Sequence, residues 1–172
     1  MIFTATAAGT SGGWFDLGDR KVRCALGEPG VKPAAEKREG DQASPIGVWP
    51  IRRLLWRPDK GPEPVTAIPS APLSPDDGWC ETPNHSDYNR QVRLPHPAAH
   101  ETMWRDDDLY DLVLVLGHND DPVIPGMGSA IFLHLARPGY SPTQGCVALA
   151  RADVEALLAV ARPGDAVEIR EG

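Results

Sequence analysis

The chain of 172 residues is 41% hydrophobic and 24% charged, a composition typical of a folded globular protein and unlike that of a disordered chain. A net charge of −7 and the lack of a Lys/Arg cluster argue against nucleic acid or an anionic membrane as the main partner. A length of 172 residues normally makes one domain, and we expect a single domain over residues 1–172.

The 17 glycines and 18 prolines indicate many turns, and helical patterning is scarce before residue 150. These features predict a mostly β fold with long loops. No apolar run approaches the ~20 residues that cross a bilayer, and residues 1–7 lack the basic start and long apolar stretch of a signal peptide. We therefore expect a cytoplasmic protein that does not contact the membrane.

The first predicted elements are strands. Residues 13–17 and 20–26 flank Gly18-Asp19 in loose apolar and polar alternation, which is typical of a hairpin with a tight turn. Residues 48–56 alternate apolar and basic residues, as in a strand with one solvated face. The arginines of this region are expected to be surface charges: Arg52, Arg53 and Arg57.

A long segment from Pro58 to His100 is rich in Pro, Asp and Asn and has little periodicity. Long excursions of this kind in compact domains are often functional loops. One interpretation is a lid or pocket wall, and the other is an irregular insertion without a role. Composition does not separate the two.

The second half of the chain has two short apolar runs, one helical pattern and a final strand. The run 109–117 predicts a buried strand that ends at His118 and Asn119, and the run 130–135 predicts a buried strand that carries His134. Apolar residues at 154, 157, 158 and 161 predict a helix over 150–161, and residues 166–170 predict the last strand.

Three cysteines lie far apart without CxxC spacing, which fits neither a disulfide framework nor a structural zinc site. We expect Cys24 and Cys80 to be buried as small apolar side chains. Cys146 follows Gly145 and precedes the predicted helix, so its thiol is expected near a helix N-terminus, where backbone N–H groups stabilise a thiolate. Gly145 would remove a Cβ that blocks substrate approach.

A thiol with an ordinary pKa is only slightly ionised at neutral pH, so an efficient cysteine nucleophile needs an imidazole within reach. His134 is the best-placed histidine, because only a short loop and a turn separate its strand from Cys146. The pair predicts acyl transfer, with His134 as the general base.

The residues His134, Thr143, Gly145 and Cys146 resemble the catalytic motif of the L,D-transpeptidase (YkuD-type) family, a strand histidine followed by Ser/Thr-x-Gly-Cys. An upstream segment, Lys37-x-Glu39-Gly40-Asp41 with Ser44-Pro45-x-Gly47, is similar to a second signature of that family. The resemblance covers residues about 37 to 170.

This resemblance implies a β-sandwich-like catalytic domain that acts on stem peptides of peptidoglycan or on muropeptides. Cys146 would attack the carbonyl at the L-centre of a diamino acid, and the terminal D-residue would leave. The Leu135 carbonyl would orient His134, and the N–H groups of Gly145 and Cys146 would hold the oxyanion. No metal or organic cofactor is implied.

Two departures from the family pattern affect the substrate contacts. The spacing from histidine to cysteine is shorter than in the common form, and Gln144 and Ala148 stand where many members have His and Arg. Arg137 and Arg90 are candidate replacements for the basic residue, although a solvated surface arginine is the favoured interpretation of each.

Further pocket candidates lie near the motif or in the long segment. His118 and Asn119 end a neighbouring strand, Thr143 and Gln144 precede the nucleophile, and Tyr88 with Asn89 belongs to the long segment. His118 is also readable as a structural hydrogen-bonding residue, and Tyr-Asn as a turn anchor.

Two other classes of protein remain open. His118, Asp120, His134 and Cys146 could collect around zinc as in a metallohydrolase. A catalytically idle module that binds wall peptides is the second. If the chain is an enzyme, water as the acceptor implies an L,D-carboxypeptidase of murein recycling, and an amine as the acceptor implies a transpeptidase. The expected cytoplasmic location favours water.

Overall fold

Short strands dominate the computed structural model, which describes residues 1–172 and confirms the predicted mostly β fold. One α-helix is present, α1 at Arg151–Val160, and one short 3-10 helix at Ala34–Glu36. The strands are β1 Ile2–Ala7, β2 Gly12–Asp16, β3 Lys21–Ala25, β4 Val31–Pro33, β5 Ser44–Trp56, β6 Ser70–Pro72, β7 Asp77–Cys80, β8 Gln91–Arg93, β9 His100–Thr102, β10 Leu112–Leu116, β11 Phe132–Leu135, β12 Val147–Leu149 and β13 Ala166–Arg170.

The thirteen-residue strand β5 closes the main sheet. Its first half pairs antiparallel with β13 and its second half with β10. From β10 the strand order runs β11, β12, β3, β2, β1 and β13 and returns to β5, with β4 and β6 attached beside β5. The larger apolar core, which includes Phe3, Phe15, Leu54, Leu133 and Leu149, fills the interior of this closed sheet.

The predicted hairpin and helix are present. β2 pairs antiparallel with β3 from Gly12↔Ala25 to Asp16↔Lys21, and Gly18 in the turn has φ +98°, a conformation that favours glycine. Helix α1 buries the predicted face through Val154, Leu157 and Leu158. No helix has the length and apolar character needed to cross a membrane.

The long segment from Pro58 to His100 is more regular than its composition indicates. It contains β6, β7 and β8 and leads into β9, and the last three form a separate antiparallel sheet in the order β8-β7-β9. The side chain of Trp79 on β7 packs edge-on against Phe132 on β11, with ring centroids 4.9 Å apart. This small sheet, residues 77–102, is called the wall sheet below.

The prediction that all three early arginines are surface charges is wrong for Arg57. Its side chain is buried, ion-paired with Asp59 at 2.7 Å and stacked 3.9 Å over the Trp104 ring. Arg52 is exposed and Arg53 is half-buried. A buried guanidinium is stable here because a carboxylate and an aromatic face replace its water.

Candidate active site

Strands β11 and β12 bring the candidate nucleophile and base to one cavity. The two strands pair in parallel, with His134 opposite Ala148. Cys146 lies two residues before Ala148, so its side chain is expected on the same face. Cys146, His134 and Ala148 line the same cavity, whose volume is about 460 Å³.

The Cys146 thiol is 7% exposed and is held by backbone groups. It donates to the Ala130 carbonyl at 3.2 Å and accepts from the Phe132 N–H at 3.4 Å. Burial, with a smaller contribution from the Glu101 carboxylate, raises the pKa of the Cys146 thiol to about 12. The prediction that the Cys146 thiol lies near a helix N-terminus is wrong, because β12 separates Cys146 from α1.

The His134 imidazole is also buried, at 6% exposure, and its Nδ1 lies 2.9 Å from the Leu135 carbonyl oxygen. Because a carbonyl only accepts, Nδ1 carries the proton in the neutral ring and Nε2 presents a lone pair. Burial lowers the pKa of His134 to about 4. No hydrogen bond joins Nε2 to the thiol, since Cys146 donates to Ala130 instead.

The turn before Cys146 is fixed by Thr143 and Gly145. The Thr143 hydroxyl donates to the Cys146 carbonyl at 2.7 Å and accepts from the Gly145 N–H at 3.2 Å. Of the two expected oxyanion donors, the Gly145 N–H is thus already engaged, whereas the Cys146 N–H has no partner within the chain.

Gly145 has φ +119°, and a Cβ at this position would lie 2.9 Å from the Ala43 carbonyl oxygen. The reason predicted from the sequence is different, namely that a Cβ at this position would block the approach of the substrate. The backbone around Ala43 already requires a residue without a side chain here.

Four glutamates line the same cavity: Glu28, Glu39, Glu81 and Glu101. Burial, followed by repulsion from Glu101 and Glu39, raises the pKa of Glu81 to about 7. Burial also raises the pKa of Glu101, which accepts a hydrogen bond from the Tyr110 hydroxyl. The Tyr110 ring packs edge-on against the His134 ring, with centroids 5.3 Å apart. This part of the cavity is thus acidic and adjoins the imidazole.

Three of the predicted pocket residues line this cavity: Thr143, Gln144 and Arg137. Gln144 is exposed, and Arg137 is half exposed with its guanidinium 3.6 Å from Asp107. The small Ala148, at the position where many members have arginine, lies opposite His134 and also lines the cavity.

His118, Asn119, Tyr88 and Arg90 do not line the cavity. The His118 ring is buried against Trp49 and its Nε2 lies 3.0 Å from the Met127 carbonyl oxygen. The Asn119 amide donates to the carbonyls of Ile124 and Gly128 within the loop that follows, at 3.0 and 2.9 Å. These two residues therefore stabilise the loop after β10.

Tyr88 acts on the cavity through Glu39. Its hydroxyl donates to the Glu39 carboxylate, which also accepts from the Ser129 hydroxyl at 2.7 Å. Arg90 is exposed in the connection between β7 and β8. Tyr88 is thus a positioning residue for an acidic group of the cavity.

The zinc alternative fails on geometry. His118, Asp120, His134 and Cys146 form no group with metal-ligand spacing. The Asp120 carboxylate is instead 2.8 Å from the guanidinium of Arg52.

Sequence reasoning missed Glu81, Glu101 and the contact of Tyr110 with His134. Glu81 directly follows β7 and Glu101 lies in β9, and only the pairing of β7 with β9 brings them together. Tyr110 lies within the predicted strand 109–117, and the pattern of a strand does not indicate which residue of another strand it contacts.

The model of the L,D-transpeptidase catalytic domain, YkuD, matches residues 13–169. This chain belongs to the L,D-transpeptidase family. The match runs from β2 into β13 and so includes the cavity with Cys146 and His134. Comparison with curated proteins and with solved structures gave no match.

Membership makes this L,D-transpeptidase homologue a cysteine-dependent enzyme of the type that acts on peptidoglycan stem peptides. The L,D-transpeptidase signature proposed from the upstream residues also lies at this cavity, since Lys37, Glu39 and Gly40 line it. Lys37 is buried and ion-paired with Asp41, whose pKa is lowered to about 2 by its hydrogen bonds and the lysine charge against the opposing effect of burial.

Proposed function

We propose that this chain is an L,D-carboxypeptidase, which removes the terminal D-amino acid from tetrapeptide stems of peptidoglycan fragments. The main support for this proposal is that Cys146 and His134 line one cavity of about 460 Å³. A volume of this size suits one small ligand. The diamino acid and terminal D-residue of a donor would occupy much of it, which leaves room for water more readily than for a second peptide.

The acidic lining supports a substrate with a free amino group. The basic residues of the lining, Lys37, Arg105 and Arg137, are ion-paired with Asp41 and Asp107. The glutamates of the lining remain to attract a cation, and a partly buried site attracts it more strongly than bulk water does. The side chain of the diamino acid in a stem peptide ends in such an ammonium group. We assign this group to the acidic part of the cavity.

In the first half of the reaction, His134 Nε2 takes the thiol proton as sulfur attacks the carbonyl at the L-centre. The thiol must first turn away from the Ala130 carbonyl. The oxyanion would accept from the Cys146 N–H. Collapse of the tetrahedral intermediate breaks the C–N bond, and His134 returns the proton to the departing amine of the D-residue.

In the second half, His134 takes a proton from water, which attacks the thioester carbonyl. The C–S bond then breaks, the tripeptide leaves with a new carboxylate, and the proton on His134 returns to sulfur. All three cysteines are free thiols, which supports a reducing compartment. We therefore place the reaction in the cytoplasm, in the recycling of wall fragments.

A transpeptidase is the second candidate, and one observation favours it. A wide groove of about 660 Å³ shares Leu109 and Arg137 with the catalytic cavity. A second peptide lying there could bring its amine to the thioester in place of water.

The test is to incubate the protein with a soluble disaccharide-tetrapeptide, with and without an amine acceptor, and to identify the products by mass. Tripeptide alone supports the carboxypeptidase, whereas an exchanged or cross-linked product supports the transpeptidase. The matched control is Cys146→Ala, which should give neither product. Lack of turnover by the parent, with the same result for the control, would overturn both proposals and leave the wall-peptide binding module.

A further inference from the structure

A cluster of two histidines and one aspartate lies on the wall sheet, outside the catalytic cavity. His85 and Asp87 belong to the turn between β7 and β8, and His96 follows β8. Their ligand atoms all lie within 4.8 Å of one another. We propose that these three residues bind a divalent transition-metal ion of the zinc class.

The separations match those between ligands of one ion. His96 Nε2 is 3.2 Å and His85 Nδ1 is 3.6 Å from the same oxygen, Asp87 Oδ2. Bonds of about 2.0–2.1 Å in a tetrahedral site place neighbouring ligand atoms about 3.3 Å apart. An ion would replace the proton between His96 Nε2 and Asp87 Oδ2. At His85 it would take the Nδ1 lone pair that now accepts from the Asp87 N–H at 3.1 Å.

The Nδ1 atom of His96 has a hydrogen-bond partner in the metal-free form of the ring and in the metal-bound form. Its Nδ1 accepts from the Ala98 N–H at 3.3 Å, which leaves the neutral ring's proton on Nε2, toward Asp87. When an ion takes Nε2, the proton moves to Nδ1, and the Ala98 carbonyl oxygen lies 3.4 Å away to accept it. Such a hydrogen bond from the second ring nitrogen is usual for metal-bound histidine.

Charge and access also favour a cation. Two neutral imidazoles and one carboxylate give the cluster one negative charge, and imidazole nitrogen selects transition metals over calcium or magnesium. The Asp87 side chain is 46% exposed, that of His85 29% and that of His96 9%. Water can therefore complete the coordination.

The position of the cluster gives the ion a structural role. It would join the turn after β7 to the turn after β8, within the segment whose ends carry Glu81 and Glu101 into the catalytic cavity. Metal binding would then fix the acidic wall of the cavity without contact with the reacting atoms. Binding of a metal that is absent from the unfolded chain also adds to stability.

The test uses chelator-treated full-length protein carrying Cys146→Ala, which removes the cavity thiol as a competing ligand. Calorimetric titration with Zn²⁺ should find one equivalent bound. His96→Gln and Asp87→Asn should each lower the zinc affinity by at least about tenfold, and the matched control His100→Gln should keep it. Co²⁺ should give the visible bands of a tetrahedral site, lost in His96→Gln.

Circular dichroism of the metal-free variants shows whether each one folds. If His96→Gln does not fold, the more exposed His85→Gln takes its place in the comparison. Binding of much less than one equivalent, or equal affinity in the parent and in the folded His85 and His96 variants, would overturn the proposal. Since zinc binding is measured without turnover, its outcome is independent of the carboxypeptidase assay.

Discussion

Burial acts on the two reactive side chains in opposite directions and leaves both uncharged near neutral pH. The Cys146 thiol has its pKa raised to about 12, and His134 has its pKa lowered to about 4. A preformed thiolate and imidazolium pair is therefore disfavoured in the free enzyme. Proton transfer to His134 must accompany attack on the substrate, after the thiol leaves the Ala130 carbonyl.

Alkylation of the free enzyme tests this resting state. The rate of Cys146 modification by iodoacetamide should rise about tenfold per pH unit from about pH 6 to pH 9, because only the thiolate reacts and its fraction stays small. Peptide mass mapping distinguishes Cys146 from the buried Cys24 and Cys80. A rate that levels off near neutral pH would show a preformed thiolate and contradict the expectation.

Replacement of His134 distinguishes its role as a catalytic base from an effect on the ionisation of the resting Cys146 thiol. His134→Gln keeps an amide that can donate to the Leu135 carbonyl but provides no base. Turnover of a tetrapeptide fragment should fall by about 10² to 10⁴, the usual contribution of a general base. The alkylation rate should change little, since His134 does not ionise the resting thiol. Parallel losses in both rates would contradict this division.

At this scale the sequence predicts the local motif but not its surroundings. His134, Thr143 and Cys146 lie within thirteen residues, so their types and spacing are enough to identify the motif. The raised pKa of Cys146 was not predictable, because it depends on the three-residue strand β12 and on burial beneath other strands. Glu81 and Glu101 reach the cavity only through pairings of the wall sheet.

At the scale of elements, Asn89 fastens the wall sheet to the main sheet. Its Oδ1 accepts from the Trp79 indole at 2.9 Å and from the Ala130 N–H at 3.0 Å. Its Nδ2 donates to the carbonyls of His118 and Asn119 at 3.0 and 2.8 Å. The carbonyl of the same Ala130 accepts the Cys146 thiol, so Asn89 also fixes the resting position of the nucleophile.

Asn89→Ala should therefore destabilise the protein by roughly 3 kcal/mol or more, since it leaves buried backbone groups and an indole N–H without partners. Urea unfolding at neutral pH measures this change. The matched control is Asn84→Ala, at an exposed position five residues earlier, which should lie within about 0.5 kcal/mol of the parent. Equal stabilities for the two variants would show that Asn89 does not hold the sheets together.

At the scale of the whole molecule, local patterns predict the fold class, and distant pairings complete it. The parallel pairing of β1 with β13 joins the two ends of the chain, and β5 closes the sheet by pairing with both β13 and β10. Neither pairing has a sequence signal, because strand periodicity describes one strand at a time. The hairpin of β2 and β3 and the helix α1 were predictable, since their signals are local.

The net charge of −7 includes four glutamates that line the catalytic cavity, and one of them makes the free energy of unfolding depend on pH. The pKa of Glu81 is raised in the folded protein from 4.5 to about 7. The folded state therefore holds this proton more tightly than the unfolded state. Its contribution to stability is fully present below about pH 4.5 and is lost as pH rises through about 7.

Glu81→Gln removes this titration while keeping the shape of the side chain. The variant should be more stable than the parent at about pH 8, where the parent must keep a carboxylate ionised beside Glu101 and Glu39. Most of this advantage should disappear by about pH 5, where the parent's Glu81 is protonated. Denaturant unfolding at both pH values measures it, with the exposed Glu171→Gln as the matched control. A gain of equal size at both pH values would mean that the substitution acts through packing, because only a titrating carboxyl makes the difference depend on pH.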